Sequence, residues 1–148
     1  MLFRSANINC RNGSIRFWFR PEWSSKNIGG TGPRTLVRLI AMGQWAVPGA
    51  NTNAYDGAFL FGLSPDGNAM GLGLQDNHGR SEGQGTEPVS FRAGVWHEIV
   101  LAVQPRQLDI WLDGLNRLQW WTTNDLPYPP ASVRALGFTV GNAPEGAM

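Results

Sequence analysis

Over residues 14–20 apolar and polar side chains alternate one by one. Ile15, Phe17 and Phe19 fall on one face, and Arg16, Trp18 and Arg20 fall on the other. A period of two marks a strand buried on one side. Pro21 ends it, because proline has no N–H to give to a ladder. Similar segments follow at 35–42, 57–63, 69–75, 96–104, 107–112, 116–121 and 134–140, which makes eight strands, with 3–9 a candidate ninth. Helices have little room: the longest stretches without glycine or proline, 1–12 and 115–126, carry no apolar stripe at helical spacing. Between 57–63 and 69–75, Ser64-Pro65-Asp66-Gly67 supplies proline where a turn wants a fixed φ and glycine where it wants a positive one.

A one-residue slip would turn a buried face toward water, so consistency of both faces selects the registers. With Gln104-Pro105-Arg106-Gln107 as the turn, Val103 faces Leu108, Leu101 faces Ile110 and Ile99 faces Leu112 inside. Val100 then faces Trp111, and Ala102 faces Asp109, outside. For the next hairpin a two-residue Asp113-Gly114 loop would set Ile110 against Arg117. A three-residue loop ending at Leu115 sets Ile110 against Leu118 and Leu108 against Trp120, and is preferred. It places Trp111 opposite Arg117, Asp109 opposite Gln119 and Gln107 near Trp121 on the outer face. Short strands, long glycine-rich loops and no helix predict an all-β fold, two antiparallel sheets packed face to face. Ile15, Phe17, Phe19, Ile99, Leu101, Val103, Leu108, Ile110 and Leu112 should then point into one layer between the sheets.

Composition narrows the classes. The 148 residues suit one domain, residues 1–148, with a core of ordinary size. Charged residues make up 16%, against a usual ~25%. Twelve basic and eleven acidic residues leave a net charge of +1, and the eleven arginines are scattered from Arg4 to Arg134, so neither nucleic acid nor an anionic membrane is an expected partner. Cys10, the one cysteine, cannot form an internal disulfide and has no zinc-type ligand spacing around it. No secretory leader pattern stands at residues 1–20 and no apolar run is long enough to span a bilayer. An extracellular or cell-surface location is expected only if the chain belongs to a longer exported protein.

The segments GSIRFWFRPEWSS (13–25), VWHEIVLAVQPRQLDIWLDG (95–114) and LGFTVGN (136–142) resemble successive strands of the laminin G-like and concanavalin A-like jelly-roll domains. Trp96-His97, paired with Asp113-Gly114 one hairpin later, is the distinctive part. The resemblance implies a two-sheet antiparallel β-sandwich of jelly-roll topology and a non-catalytic module that binds a carbohydrate or glycan-bearing surface. Such domains commonly finish with one more strand after the last segment, where only residues 143–148 remain. Either the final strand is missing, leaving an open sheet edge for a protein partner or a neighbouring copy, or 3–9 closes the sheet differently.

The chemistry fits that class better than an enzyme. GxSxG, HExxH, the phosphate-cradling GxxxxGK[ST] and the dinucleotide glycine fingerprint are all absent. His78 reads as a loop residue and His97 as one at a strand start. Glycoside hydrolysis needs two carboxylates across the scissile bond. The Glu-x-Asp-x-Glu pattern of glucanase relatives is absent, and the remaining pair is Glu98 opposite Asp113, with Arg117 the nearest candidate to neutralise it. The bland reading is that Asp113 merely makes the turn before Gly114. Laminin G-like relatives often hold calcium at a loop rim. Asn51, Asn53 and Asp56 offer a partial ligand set here, and Asp76-Asn77 adds to it only if the loops converge, so no cofactor is expected beyond a weak calcium site. Asn12-Gly13-Ser14 matches a glycosylation acceptor, a pattern too short to weigh.

Seven tryptophans carry the strongest signal, because sugar rings stack their C–H faces on indoles while their hydroxyls take polar partners. Trp18, Trp111 and Trp121, with Asp109, Arg117 and Gln119, form a candidate glycan platform on the outer face. The competing reading has Trp18 and Trp111 covering the back of the sheet, stacked by arginine. Trp23, Trp45, Trp96 and Trp120 are assigned to core or loop packing. The long loops 43–56 and 76–88, with Trp45, Tyr55 and His78, are secondary candidates for recognition.

Overall fold

In a computed structural model, which describes the backbone of residues 2–3 and the whole of 11–44 and 57–141, the alternating segments become strands. They are β1 (Leu2–Phe3), β2 (Gly13–Phe19), β3 (Val37–Gln44), β4 (Gly57–Leu63), β5 (Met70–Gln75), β6 (Ser81–Gly85), β7 (His97–Gln104), β8 (Gln107–Leu112), β9 (Leu115–Trp121) and β10 (Phe138–Val140). A 3-10 turn at Lys26–Ile28 and a single-turn helix, α1 (Ala131–Arg134), complete the elements among the described residues. One sheet runs β1-β10-β3-β4-β5-β6 and the other β2-β7-β8-β9, and every pairing is antiparallel. This is a two-sheet antiparallel β-sandwich of the jelly-roll type.

The inner faces meet as the alternation requires. Ile99, Leu101, Val103, Leu108, Ile110 and Leu112 are buried in one cluster with Phe59, Phe61, Leu72 and Leu74 of the opposite sheet, and Ile15, Phe17 and Phe19 pack against it. Phe17 meets Phe61 edge-on across the layer, with ring centroids 6.4 Å apart.

The β7–β8 register is the one that face consistency selects, Ile99 opposite Leu112 through Val103 opposite Leu108. The β8–β9 hairpin satisfies both candidate loops in turn. Its loop is the two-residue Asp113-Gly114, with Leu112 opposite Leu115 and positive φ at both turn residues (52° and 77°), the arrangement whose twist suits a hairpin. A register shift between Ile110 and Trp111 inserts one residue into β9, so that Ile110 faces Leu118 and Leu108 faces Trp120. Trp111 therefore lies opposite Asn116, not Arg117.

Three further expectations change. Residues 76–88 are not a loop throughout, because β6 pairs with β5 along Ser81–Gly85. Both its faces are exposed at the sheet edge, so it carries no apolar signature. Residues 134–140 are strand only from Phe138, since α1 and the positive φ of Gly137 occupy the approach. Of 3–9, Phe3 pairs with Phe138 and Leu2 with Thr139, adding an edge strand beside β10; residues 4–10 lie outside the described residues.

Candidate functional site

The outer face of the four-stranded sheet carries the side chains expected to form a glycan platform, and the registers fix their spacing. Trp18 lies opposite Glu98 on the β2 edge, and Trp121 lies opposite Gln107 on the β9 edge. Three strand spacings across and six residues along β7 separate them, roughly 25 Å. They cannot stack on one sugar ring. Trp18 is 57% exposed, and the Arg16 guanidinium stands 5.0 Å from its ring centroid. Trp111 is half-buried mid-sheet beside Asp109, and Gln119 is exposed. Asp109 is only 5% exposed, accepting a hydrogen bond from Gln107 Nε2 at 2.7 Å, and so offers a ligand almost no surface. Arg117 is half-buried in the bulged stretch, with its Nε buried and unpartnered. Of the tryptophans assigned to packing, Trp23 and Trp120 lie against the core. Trp96 instead is 62% exposed beneath Arg20. Trp45, Tyr55 and Cys10 lie outside the described residues.

Glu98 and Asp113 do stand side by side, and each already has a partner. Asp113 Oδ2 bonds His97 Nδ1 at 2.7 Å and its Oδ1 accepts the Glu98 N–H at 2.8 Å. Glu98 Oε1 pairs with Arg16, so Arg117 is not the neutralising group. Asn51, Asn53 and Asp56 lie outside the described residues. Asp76 spends one oxygen on the His78 and Arg80 N–H groups and pairs the other with Arg80, a turn of its own making. Among the described residues no three His, Cys, Asp or Glu side chains gather closely enough to hold a metal.

The other sheet holds a surface that apolar patterning does not reveal. Its outward positions are Ala41 of β3, Leu60 and Gly62 of β4, Gly71 and Gly73 of β5, and Gly83 and Gly85 of β6, which lie opposite one another across the strands. Of these, Leu60, Gly62, Gly71, Gly73 and Gly85, with Leu36, Arg38 and Gln84, line an apolar trough of about 370 Å³. Elsewhere on this sheet α1 and the prolines before it lie close against β3 and β4. There a side chain at Gly57 would strike Pro129 and Pro130 at 2.9 Å, and one at Gly43 would strike Val133 at 2.7 Å. Those glycines are needed by close approach. Gly71, Gly83 and Gly85 are not: a Cβ there would find its nearest neighbour at 3.4, 3.6 and 3.5 Å, ordinary contact, and none has a positive φ. A glycine inside a strand weakens it, and where the backbone does not demand it, something else approaches that backbone closely. The signal lay in the sequence as glycine at alternate positions, Gly71 and Gly73, then Gly83 and Gly85, which gives one smooth face.

No protein-family model matches the chain, and no curated protein sequence does. Solved structures do match in fold. The CBM40 domain of the Ruminococcus gnavus IT-sialidase superposes with a TM-score of 0.62 at 14% identity, over 90% of this chain. The chain spans 65% of that domain's length. The same domain solved with α2,3-sialyllactose gives 0.60 at 13% identity, over 90% of this chain and 65% of the other. A galectin of Caenorhabditis elegans gives 0.53 at 10% identity, covering 97% of this chain and 81% of its own. At such identities the likeness establishes the fold alone, a jelly-roll β-sandwich.

Proposed function

We propose that this domain is a non-catalytic carbohydrate-binding module that seats a glycan in the trough of the six-stranded sheet. The observation that carries the reading is the pair of strand glycines on the trough floor, Gly71 and Gly85, for which the backbone has no use. They bring a ligand down to the peptide plane, against the apolar Leu60, with Arg38 as a hydrogen-bonding side chain among the lining residues. The fold is shared with a carbohydrate-binding module solved with sialyllactose and with a galectin, which supports the same ligand class. Against hydrolysis, Glu98 and Asp113 are committed to Arg16 and His97, so neither stands as a free acid or base. The tryptophan face contributes, in this reading, a separate contact at Trp18 and Trp111.

The test uses the conflict between stability and binding. Gly71→Val puts a β-branched side chain on the trough floor where a Cβ has room, so it should leave the domain as stable or up to ~1 kcal/mol more stable, while abolishing glycan-array binding. Trp18→Ala and Trp111→Ala on the same array measure the other face. A Gly71→Val protein that folds and binds every glycan of the parent removes the trough. Two observations bear on the alternatives: light scattering that finds a stable oligomer favours adhesion through an open sheet edge, and reducing-sugar release from a β-glucan, lost in Glu98→Gln or Asp113→Asn, would mean a hydrolase.

A further inference from the structure

A second pocket lies away from the trough, at the side of the sandwich where the edges of the two sheets, β6 and β9, come together. It is a cleft of about 390 Å³, lined by Trp121, Glu82, Arg80 and the segment 122–127. Its frame is held from several sides. Thr122 N–H donates to the Arg106 carbonyl at 3.0 Å and Leu126 N–H to the Pro105 carbonyl at 2.7 Å. The Asp125 carboxylate pairs with Arg106 and Arg11, and its carbonyl accepts from Arg80 at 2.7 Å.

Two groups in this held frame have no work within the fold. Trp121 is 64% exposed and neither stacks nor meets a cation among the described residues. Glu82 lies opposite Leu74, whose side chain is in the core, so its own side chain leaves the edge strand on the inter-sheet side, toward the cleft. Its carboxylate makes no hydrogen bond or ion pair among the described residues. Arg80, the cation beside it, is committed to Asp76 and to the Asp125 carbonyl.

We propose that this cleft is a saccharide subsite for a neutral pyranose, distinct from the trough. An indole wall takes the C–H face of the ring, and a free carboxylate accepts two neighbouring hydroxyls at once. The same carboxylate, with the nearby guanidinium already engaged, repels an acidic sugar. The proposal rests on the carbohydrate reading but not on the trough as its seat.

The experiment is saturation-transfer NMR and calorimetry on the whole chain with lactose, cellobiose, maltose and glucuronic acid. The parent, Trp121→Ala, Glu82→Gln, Ser90→Ala and Gly71→Val are compared. At least one neutral disaccharide should bind the parent more tightly than glucuronic acid does. Trp121→Ala should weaken it at least about tenfold, Glu82→Gln should weaken it while narrowing the gap to glucuronic acid, and Ser90→Ala, at an exposed serine that lines neither pocket, is the control and should leave it unchanged. Disaccharide binding that survives both Trp121→Ala and Glu82→Gln but is lost in Gly71→Val overturns the subsite and leaves the carbohydrate function standing. A parent that binds none of the four sugars and no glycan on an array overturns both.

Discussion

Ser25 joins three segments that are far apart in the chain, and removing its hydroxyl should cost more than its size suggests. The side chain is fully buried. Its Oγ donates to the Gly67 carbonyl at 2.6 Å and accepts the Phe91 N–H at 2.8 Å, while its own N–H reaches the Phe91 carbonyl at 2.9 Å. The hydroxyl thus ties the β4–β5 turn and the segment before β7 onto the segment after β2. Ser25→Ala leaves one buried donor and one buried acceptor without their partner. Each such group costs about 1–3 kcal/mol, offset in part because the hydroxyl itself no longer needs desolvating, for a net of about 2–4 kcal/mol. For a domain of this length that corresponds to a fall in Tm of roughly 5–15 °C. Urea unfolding followed by tryptophan fluorescence reads it directly: the midpoint should fall while the m-value stays the same. Ser90→Ala, at an exposed neighbouring serine, is the control and should stay within about 0.5 kcal/mol of the parent. A Ser25→Ala midpoint indistinguishable from that control would refute the account, because a site closed to water leaves the two backbone groups no substitute.

Two further outcomes follow from turns of the same sandwich. The Asp66 carboxyl sits below its ordinary 3.8, held there chiefly by the Ser64 hydroxyl and next by the Asn68 N–H. A carboxyl depressed in the fold stabilises it above the unfolded-state value, and that contribution is lost as pH falls through the lower folded value. Asp66→Asn should therefore flatten the acid limb of a stability–pH curve below about pH 4, and an unchanged limb would contradict the assignment. At the β8–β9 turn Gly114 has φ +77°. Gly114→Ala should destabilise the domain by about 1–2 kcal/mol in chemical denaturation, with solvent on all sides of the new methyl, so that conformation alone is responsible.

The elements legible in the sequence were those whose two faces differ. The β7–β8 register could be read pair by pair because Ile99, Leu101 and Val103 would all be driven into water by a slip of one residue. The same logic at β8–β9 found the pairs Ile110–Leu118 and Leu108–Trp120. It misplaced the turn because it had one fixed offset to apply, whereas the chain uses two, joined by a bulge. β6 escaped altogether, since a strand with both faces in solvent has no reason to alternate apolar and polar residues. At the other end, a turn of helix displaced the first half of the segment 134–140, and Leu136, which the strand pattern assigned to a ladder, stands 73% exposed.

The candidate site shows the same limit from the side of function. Searching for binding chemistry as prominent side chains leads to the tryptophans, and on the four-stranded sheet that search meets Asp109 buried and Trp18 held under Arg16. The trough is written instead in side chains that are missing. Strand positions ordinarily gain from a β-branched or aromatic residue, so glycine at Gly71 and Gly85 forgoes stability that the local backbone would accept. A fold that gives up stability where no turn, bulge or close approach requires it is expected to do so at its working surface. For that reason the decisive variant is one that restores a side chain: Gly71→Val should make the domain a better sandwich and a worse receptor, and the trough stands or falls on whether those two effects part company.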